Sequence, residues 1–326
     1  MNQSLDRSYI TSVLSGSGLP ACGVVGHSCL ENLAMIAPPA EVARYGLLES
    51  SGAVVALLPY DPRPMASDHE SPDDAASLSI GAFAAQNRYA TLGRLLKQAG
   101  RALALCSGLP PRSFRVLVNS RLPEKRLAVM AGLGFIGRSS LVVTNAYGPA
   151  CIIGALLLPP GFELVAEGTQ ERRDVDAPCG CGACSACADA CPTCAIVTRS
   201  PAESDVRLDS CIQYWTTAPG NVPEEVRAVW GRRLYGCDVC VAACPHSTRA
   251  WTPGPYGQSP AAMADALATP EERRPGRIVP MADIDGASDE QIKALFKGTA
   301  LGMSWIPPAL LRRNAGIARR LSGIPN

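Results

Sequence analysis

The sequence lacks a strong charge of either sign. Its 30 Lys and Arg residues nearly balance 29 Asp and Glu residues, which gives a formal net charge of +1. A chain this close to neutral has no broad basic field for holding a polyanion, so only local clusters are candidate phosphate contacts. The clearest such cluster is Arg312, Arg313, Arg319 and Arg320, and this arrangement is more typical of a solvated helix face.

The sequence also lacks a long hydrophobic run. The longest, ACIIGALLL at 150–158, falls far short of the roughly 20 residues that a membrane helix needs, and Pro159 ends it. It therefore predicts a buried strand. The stretch MNQSLDRSYITSVLSGSG at the amino terminus has no apolar core of signal-peptide length and no paired arginines, so nothing in it directs export. We expect a cytoplasmic protein with no membrane attachment.

Cysteine, in contrast, is abundant. The chain has 14 cysteines in 326 residues, and ten of them lie between positions 179 and 244. Because the cytoplasm keeps thiols reduced, this number indicates metal ligation and argues against a disulfide framework. The other four lie in apolar surroundings, where free cysteine behaves as a small hydrophobic residue, and we predict that they are core residues. These four are Cys22, Cys29, Cys106 and Cys151.

Two cysteine runs carry the metal chemistry. The first, CGACSACADACP, follows the pattern C-x2-C-x2-C-x3-C-P, and the second, CDVCVAACP, is one cysteine shorter. Paired runs of this form are typical of proteins that hold two 4Fe–4S clusters, in which each run gives its last cysteine to the other cluster. Zinc also uses C-x2-C pairs, but a zinc site leaves the third cysteine of each triplet and both Cys-Pro pairs unexplained. We predict two 4Fe–4S clusters.

The second run needs one more thiolate from elsewhere in the chain. Cys179 and Cys194 lie close in sequence to ligands of the first run and so compete for that site. Cys211 follows a polar turn, ESDVRLDS, and opens an apolar helix start, CIQYW, that can fold back over the second run. We therefore predict one cluster held by Cys181, Cys184, Cys187 and Cys244, and another held by Cys191, Cys211, Cys237 and Cys240.

The rest of the chain alternates helical and extended patterns. The predicted strands lie at 53–60, 114–119 and 150–158, and the predicted helices at 2–17, 82–106, 124–132, 288–297 and 308–322. This mixture indicates an α+β fold. We predict three regions, which are an α+β domain at 1–165, a double-cluster domain at 166–250, and a helical segment at 251–326 that packs on the core.

Several segments together resemble the epoxyqueuosine reductase family. They are CGACSACADACPTCAIV, LDSCIQYWT, VPEEVRAVWGRRLYGCDVCVAACPHS, EKRLAVMAGLGFIGRSSLVVTNAYG, NRYA, LFKGTALG and LLRRNAGIAR. The resemblance covers most of residues 50–322. It implies an oxidoreductase in which region 1–165 is a nitroreductase-like domain that binds corrinoid and substrate, followed by a bacterial-ferredoxin-like double 4Fe–4S domain. It also implies that the two clusters supply electrons to a base-off cobalamin, whose cobalt carries out the reduction.

The resemblance implies a set of positions near the corrinoid. They are Arg88, Tyr89, Gly132, Gly134, Phe135, Gly137, Arg138 and Ser139. From the residues alone, GLGFIGRSS at 132–140 is a glycine-rich turn that lets the backbone approach a large planar ring, and a turn with no ligand explains it equally well. Core packing is likewise the alternative for Tyr89 and Phe135. Because His27, His69 and His246 stand in no corrinoid-ligand motif, we expect the base-off form.

The sequence departs from the family at the site of chemistry. The family has an aspartate, thought to be the proton donor, where this chain has Val118-Asn119-Ser120. An amide cannot deliver a proton as a carboxylic acid does, so Asn119 and the nearby Glu124 are the candidate catalytic residues. Glu124 is otherwise explained as a helix-start residue, because acidic side chains favour that end of the helix dipole.

Two supports for a tRNA substrate are also missing. The family's paired basic residues after Gly-Ser-Ala are replaced by Leu301-Gly302-Met303, and the chain ends where the family usually continues into a helical extension associated with tRNA. The nearly neutral charge agrees with their loss. We therefore favour a small-molecule substrate over tRNA.

Three hypotheses follow. The first is a cobalamin-dependent reductase that removes oxygen, halogen or a similar group from a small molecule, and the second is epoxyqueuosine reductase itself with a substitute acid. The third is a non-catalytic electron carrier, including one that re-reduces the corrinoid of a partner. Because two clusters need only about 60–80 residues, the long amino-terminal region favours an enzyme. The expected partner is a low-potential electron donor of the ferredoxin or flavodoxin type.

Overall fold

A computed structural model describes residues 4–63, 76–165, 180–200, 203–255 and 257–323. The helices are α1 (Arg7–Gly16), α2 (His27–Ala34), α3 (Pro39–Tyr45), α4 (Arg88–Cys106), α5 (Glu124–Met130), α6 (Ala186–Asp189), α7 (Ile212–Trp215), α8 (Glu224–Ala228), α9 (Val239–Ala242), α10 (Thr248–Trp251), α11 (Pro260–Ala266), α12 (Asp289–Leu295) and α13 (Pro308–Leu321). The strands are β1 (Ser4–Asp6), β2 (Cys22–Gly26), β3 (Gly52–Pro59), β4 (Ser77–Ile80), β5 (Arg115–Val118), β6 (Gly134–Ile136), β7 (Val142–Thr144), β8 (Cys151–Leu158), β9 (Glu163–Val165), β10 (Ile196–Ser200), β11 (Glu203–Val206), β12 (Arg233–Tyr235) and β13 (Ile278–Pro280).

A four-stranded antiparallel sheet forms the centre of the amino-terminal region. Its strand order is β2-β3-β8-β5. Every residue of β3 is buried, and β8 is buried from Gly154 onward, because helices cover both faces of these strands. The predicted strands at 53–60, 114–119 and 150–158 are confirmed, and the run at 150–158 is a buried strand.

Helix α4 packs along this sheet and carries the first residues of the candidate site. Its apolar positions recur on one face, and those residues are fully or almost fully buried. The helix begins at Arg88, later than the predicted residue 82, because the side chain of Asn87 accepts a hydrogen bond from the Ala90 N–H and caps it there. Cys106 ends the helix and is exposed, so its predicted core position is wrong. Cys22, Cys29 and Cys151 do pack against the core.

A second, three-stranded sheet joins distant parts of the chain. Strand β4 lies between β12, which is parallel to it, and β13, which is antiparallel. A second hydrophobic core surrounds this sheet, and its largest fully buried side chains are Trp230 and Phe296. Residues that we predicted to lie in three successive regions therefore share one sheet and one core.

The cysteine-rich region is mostly short turns. The segment ESDVRLDS, predicted as a polar turn, instead supplies strand β11, which pairs antiparallel with β10. Val206 lies opposite Ile196 in this pairing, so apolar side chains meet across the hairpin. None of the helices in the described ranges is long and apolar enough to cross a membrane.

Candidate functional site

The two cysteine runs fold into two equivalent helical turns that pack against each other. Cys187 lies in α6 and Cys240 lies in α9, and each helix is followed by the Cys-Pro pair of its run. The Cys191 N–H donates to the Ala188 carbonyl and the Cys244 N–H donates to the Val241 carbonyl, both at 3.2 Å. The repeated sequence pattern therefore produces a repeated local structure, as two cluster-binding turns require.

One group of neighbouring thiols consists of Cys184, Cys187 and Cys244. Burial raises the pKa of Cys187, and the adjacent thiols of Cys244 and Cys184 raise it further. Burial also raises the pKa of Cys244, with a smaller contribution from Cys184. Cys181 lies beside Gly137, where an added Cβ would be 3.5 Å from the Cys181 sulfur.

A second group consists of Cys211, Cys237 and Cys240. Burial raises the pKa of Cys240, and Cys237 and Cys211 are the next causes. The pKa of Cys237 is also raised, chiefly by burial and in smaller part by Cys211, although the Arg233 guanidinium acts in the opposite direction. The distant Cys211 is therefore an electrostatic neighbour of the second run.

The remaining cysteines of this region differ in their surroundings. Burial disfavours the thiolate of Cys191, but hydrogen bonds from Thr193 and from backbone N–H groups outweigh it and lower the pKa. Cys194 is exposed, has a left-handed φ of 50°, and its carbonyl accepts from Arg207. Cys179 lies outside the described residues.

The donor set matches the chemistry of iron–sulfur clusters. Grouped thiolates repel one another when ionised, and iron ions relieve that repulsion while releasing the thiol protons. The thiols of each group are electrostatic neighbours, but within the part of the chain that the structure describes no three side chains of His, Cys, Asp or Glu are close enough together to bind a single metal ion.

The glycine-rich segment predicted to contact a corrinoid lies against the first cysteine run. Strands β6 and β7 form a hairpin here, and the ring of Phe135 contacts Gly180 and packs edge-to-face on His246 with centroids 6.4 Å apart. Gly134 is required by the close approach of β7, because an added Cβ would lie 2.2 Å from the Val143 carbonyl oxygen. Gly132 ends α5 in the left-handed conformation that glycine tolerates, with a φ of 75°.

Arg138 ties this hairpin to the loop of the first run. The side chain is buried, and its guanidinium donates to the carbonyls of Gly182 at 2.5 Å, Cys184 at 2.8 Å and Ser200 at 2.9 Å. Ser139 follows it at the turn of the hairpin, partly buried. These contacts give Arg138 a direct part in shaping the loop between the first two cysteines. Its predicted contact with a corrinoid stays a prediction.

Arg88 and Tyr89 lie apart from the hairpin, in the first turn of α4. The guanidinium of Arg88 is buried over the ring of Tyr60, donates to the Ala82 carbonyl at 2.9 Å and pairs with Asp265 at 2.5 Å. Burial raises the pKa of Tyr89, and Tyr235 and Glu124 are the next causes.

Tyr89 lines an open groove that runs along α4 and the edge strand β5. The groove has a volume of about 600 Å³ and is walled by Val116 and Val118 on the strand side. On the helix side it is lined by Ala90, Gly93, Arg94, Lys97, Gln98 and Arg101. An added Cβ at Gly93 would meet no atom within 4 Å, so the floor of the groove is open space.

Asn119 and Glu124 meet at the end of β5. Asn119 adopts a left-handed φ of 53°, which asparagine tolerates better than most residues. The turn brings Glu124 back toward the strand, and its Oε1 accepts from the Ser120 N–H at 2.7 Å. Burial raises the pKa of Glu124, while hydrogen bonds from Ser120 and the Asn119 N–H partly offset that rise. The structure therefore brings both predicted catalytic residues together, beside Tyr89.

The sequence analysis missed a buried acid, Asp238, between two predicted cluster ligands. Burial raises the pKa of Asp238 to about 6, although Arg277 and Arg88 oppose the rise. Its Oδ2 accepts from the Ala82 N–H, whereas its buried Oδ1 has no partner among the described residues. Its neighbour Tyr60 lies in one hydrophobic cluster with Cys240 and Tyr89. No local sequence signal distinguishes Asp238 from a solvated acid.

Comparisons with known proteins agree with this arrangement. Residues 180–247 match the 4Fe-4S double cluster binding domain. The chain is 33% identical over 221 residues to the epoxyqueuosine reductase of Escherichia coli (strain K12), a match that covers 66% of this chain and 48% of that protein. It is 32% identical over 174 residues to the epoxyqueuosine reductase of Lactococcus garvieae (strain Lg2), covering 52% of this chain and 44% of that protein. The matches thus span about half the length of these relatives.

The fold is shared with solved structures. A crystal structure of selenomethionine-labelled epoxyqueuosine reductase superposes with a TM-score of 0.66 at 22% identity, covering 98% of this chain and 82% of that one. The enzyme from Streptococcus thermophilus gives a TM-score of 0.65 at 20% identity, with coverages of 96% and 80%. The predicted α+β fold with a double-cluster domain is confirmed, and so is the predicted resemblance to the epoxyqueuosine reductases.

Proposed function

We propose that this protein is an iron–sulfur reductase that uses two 4Fe–4S clusters and a base-off cobalamin to remove oxygen, halogen or a similar group from its substrate. The observation that carries the proposal is the position of Tyr89. Tyr89 and Cys240 are both electrostatic neighbours of the buried Tyr60, and Tyr89 is also an electrostatic neighbour of Glu124. The second cysteine run and the proposed proton donor therefore both lie near Tyr89.

The proposed cluster ligands are the eight predicted cysteines. The two groups of neighbouring thiols support six of them, and they support Cys211 in particular, because it neighbours Cys237 and Cys240. Cys181 and Cys191 are included because of their spacing in the first run. A ferredoxin or flavodoxin type of protein would supply the electrons.

The groove beside Tyr89 is the proposed corrinoid site. A corrinoid is a large planar group with peripheral amides and one phosphate, and the groove offers open space over Gly93 together with the donors of Lys97, Gln98 and Arg101. When bound there, cobalamin would supply a strongly reducing cobalt ion. The residues at 134–139 face the first cysteine run, so in this proposal they support a cluster and Tyr89 is the main corrinoid contact.

Glu124 is the proposed proton donor. Removal of oxygen from carbon requires a proton for the departing oxygen, and Asn119 has none to give. The raised pKa of Glu124 keeps its carboxyl protonated at higher pH than an ordinary glutamic acid. Because Oε1 accepts from the Ser120 N–H, Oε2 is the atom that carries the proton in this proposal. Asn119 is exposed at the same turn, where its amide can hold a substrate carbonyl.

A small molecule is the substrate we favour. The chain has a net charge of +1, and the segment at Leu301–Met303 has no basic residue and packs into the second core. Neither property suits a polyanion.

The alternative substrate is epoxyqueuosine in tRNA. One observation favours it, which is that Glu124 lies beside Asn119 and can replace the missing aspartate. The relatives carry this activity in their names, and one related structure, at 21% identity, holds an epoxyqueuosine-modified tRNA stem loop.

The test is a reductive assay with purified, cluster-replete protein. The protein receives cobalamin and a low-potential reductant, and then either an epoxyqueuosine-containing stem loop or a panel of small epoxides and organohalides. Turnover of a small molecule, with none of the stem loop, would support the favoured substrate. Turnover of the stem loop would establish the alternative. If the visible spectrum of added cobalamin did not change on mixing with the protein, the protein would be an electron carrier and the proposal would be wrong.

A further inference from the structure

We propose that helix α13 holds Cys211 in place as the fourth ligand of the second cluster, and that Arg313 and Asn314 are the positioning residues. The inference rests on the ligand set proposed above. It concerns a helix that follows Cys211 by about a hundred residues and supplies no ligand itself.

Asn314 joins two of the three chain segments that carry ligands of the second cluster, which is the one proposed to be held by Cys191, Cys211, Cys237 and Cys240. It is completely buried, and its Nδ2 donates to the Thr216 carbonyl at 3.0 Å and to the Leu234 carbonyl at 2.8 Å. Thr216 ends the helix that Cys211 begins, and Leu234 lies in β12, three residues before Cys237. One amide group therefore fixes the spacing between these segments.

Arg313 strengthens the same connection. Its guanidinium donates to the carbonyls of Ala218 at 2.7 Å and Gly220 at 3.0 Å, and also to the Trp215 carbonyl. It further donates to Asn314 Oδ1 at 2.9 Å, which orients the amide so that Nδ2 faces the two carbonyls. The predicted solvated helix face is therefore wrong for Arg313, which is engaged by the Cys211 segment.

The Cys211 segment needs this support because it is short. Helix α7 has four residues, and an isolated helix of that length is unstable in water. Cys211 caps its amino terminus, and the Trp215 N–H donates to the Cys211 carbonyl at 3.1 Å. At the same end, Gln213 Oε1 accepts from the Cys237 N–H at 3.0 Å. Helix α7 is thus tied to the second run at its start and to α13 at its end.

Loss of the α13 contacts has a specific chemical consequence. A 4Fe–4S cluster with three protein thiolates has one iron without a protein ligand. One-electron oxidation by ferricyanide, which becomes ferrocyanide, then converts the 2+ cluster into a 1+ 3Fe–4S cluster and releases one ferrous ion. The 3Fe–4S product is paramagnetic and gives an electron paramagnetic resonance signal, whereas a 4Fe–4S cluster that stays in the 2+ state with four thiolates is diamagnetic and gives none.

The experiment uses the full-length protein with both clusters reconstituted. The test variants are Asn314→Asp, which keeps the acceptor for Arg313 but cannot donate to both carbonyls, and Arg313→Gln. The matched control is Arg312→Gln, because Arg312 is the adjacent residue of α13 and donates to the Ala287 carbonyl, away from the Cys211 segment. Cys211→Ala serves as the reference for a lost ligand.

After ferricyanide treatment, the test variants and Cys211→Ala should show a 3Fe–4S electron paramagnetic resonance signal. Iron should fall from about eight to about seven per chain, with sulfide unchanged. Arg313→Lys, which retains the charge and one donor nitrogen, should give a weaker signal than Arg313→Gln.

Three outcomes would overturn the inference. A 3Fe–4S signal in Cys211→Ala but not in the α13 variants would show that α13 does not position the ligand, and the ligand set would stand. Loss of both clusters together in the α13 variants would indicate a general structural role. Two intact clusters in Cys211→Ala would reject the ligand set itself.

Discussion

Replacement of Glu124 by Gln tests the proposed proton donor. The change removes one titratable proton and keeps the shape of the side chain, and the Gln Oε1 can still accept from the Ser120 N–H, a bond of 2.7 Å in the native protein. The turn that carries Asn119 should therefore persist. A loss of activity can then be attributed to the missing proton.

The expected loss is large. General acid catalysis contributes roughly 10²–10⁴ in rate, so the single-turnover rate of Glu124→Gln should fall by about that factor. An ordinary glutamic acid is protonated in only about 0.2% of molecules at pH 7, and each unit of rise in its pKa multiplies this fraction about tenfold. Because burial raises the pKa of Glu124, the native rate should decrease as the pH rises past that pKa, and the variant should lack this decrease.

The assay measures the single-turnover rate at which protein with pre-reduced clusters reduces the substrate found in the reductive assay above. The rate is followed across pH for the native protein, Glu124→Gln and the control Glu49→Gln. Glu49 is an exposed carboxylate away from the groove beside Tyr89. Full activity in Glu124→Gln, or an unchanged pH profile, would refute the assignment. An equal loss in Glu49→Gln would point to a general effect of removing negative charge.

Glu124 should also change how the free energy of unfolding depends on pH. The folded-state pKa of Glu124 lies above its unfolded value, so between these two values the folded protein binds more protons than the unfolded chain. The free energy of unfolding should therefore fall as the pH rises through that interval and be constant above it. Denaturant melts should show this contribution in the native protein and its loss in Glu124→Gln.

Three further predictions concern the cofactors. Anaerobically reconstituted protein should contain about eight iron and eight sulfide per chain, and stoichiometric zinc with little iron would contradict the assignment of two 4Fe–4S clusters. Cys211→Ala should damage one cluster, while Cys194→Ala should leave the iron content nearly unchanged. Cobalamin should bind base-off, so the Co(II) electron paramagnetic resonance spectrum should lack nitrogen superhyperfine splitting, and its presence would refute the base-off form. Arg138→Ala should leave the Gly182, Cys184 and Ser200 carbonyls without their charged donor, at a cost of about 1.5–3 kcal/mol for each bond. Iron analysis should then show preferential loss of the cluster assigned to Cys181, Cys184, Cys187 and Cys244, whereas normal iron would mean that the loop keeps its shape unaided.

The sequence alone determined the features that depend on neighbouring residues. Each cysteine run folds as its own short turn, so the spacing was enough to predict two equivalent turns, and the assignment of ligands to the two clusters stays a prediction. The strands at 53–60 and 150–158 and the helix at 308–322 were likewise predictable, because each is long and has a consistent hydrophobic pattern. Asn119 was identified because it stands where the family that the sequence resembles has an aspartate, and this comparison needs only a few neighbouring residues.

Only the tertiary structure decided which distant residues meet. No local pattern indicates that Arg138 holds the first cysteine loop or that Arg313 and Asn314 hold the Cys211 segment, since these contacts join residues 44 to 98 positions apart. The burial of Asp238 and of Glu124 had the same origin, because the environment that raises a carboxyl pKa is built by several chain segments at once. Periodicity reports which face of an element is buried, whereas the partner on that face is chosen by the packing of the whole chain.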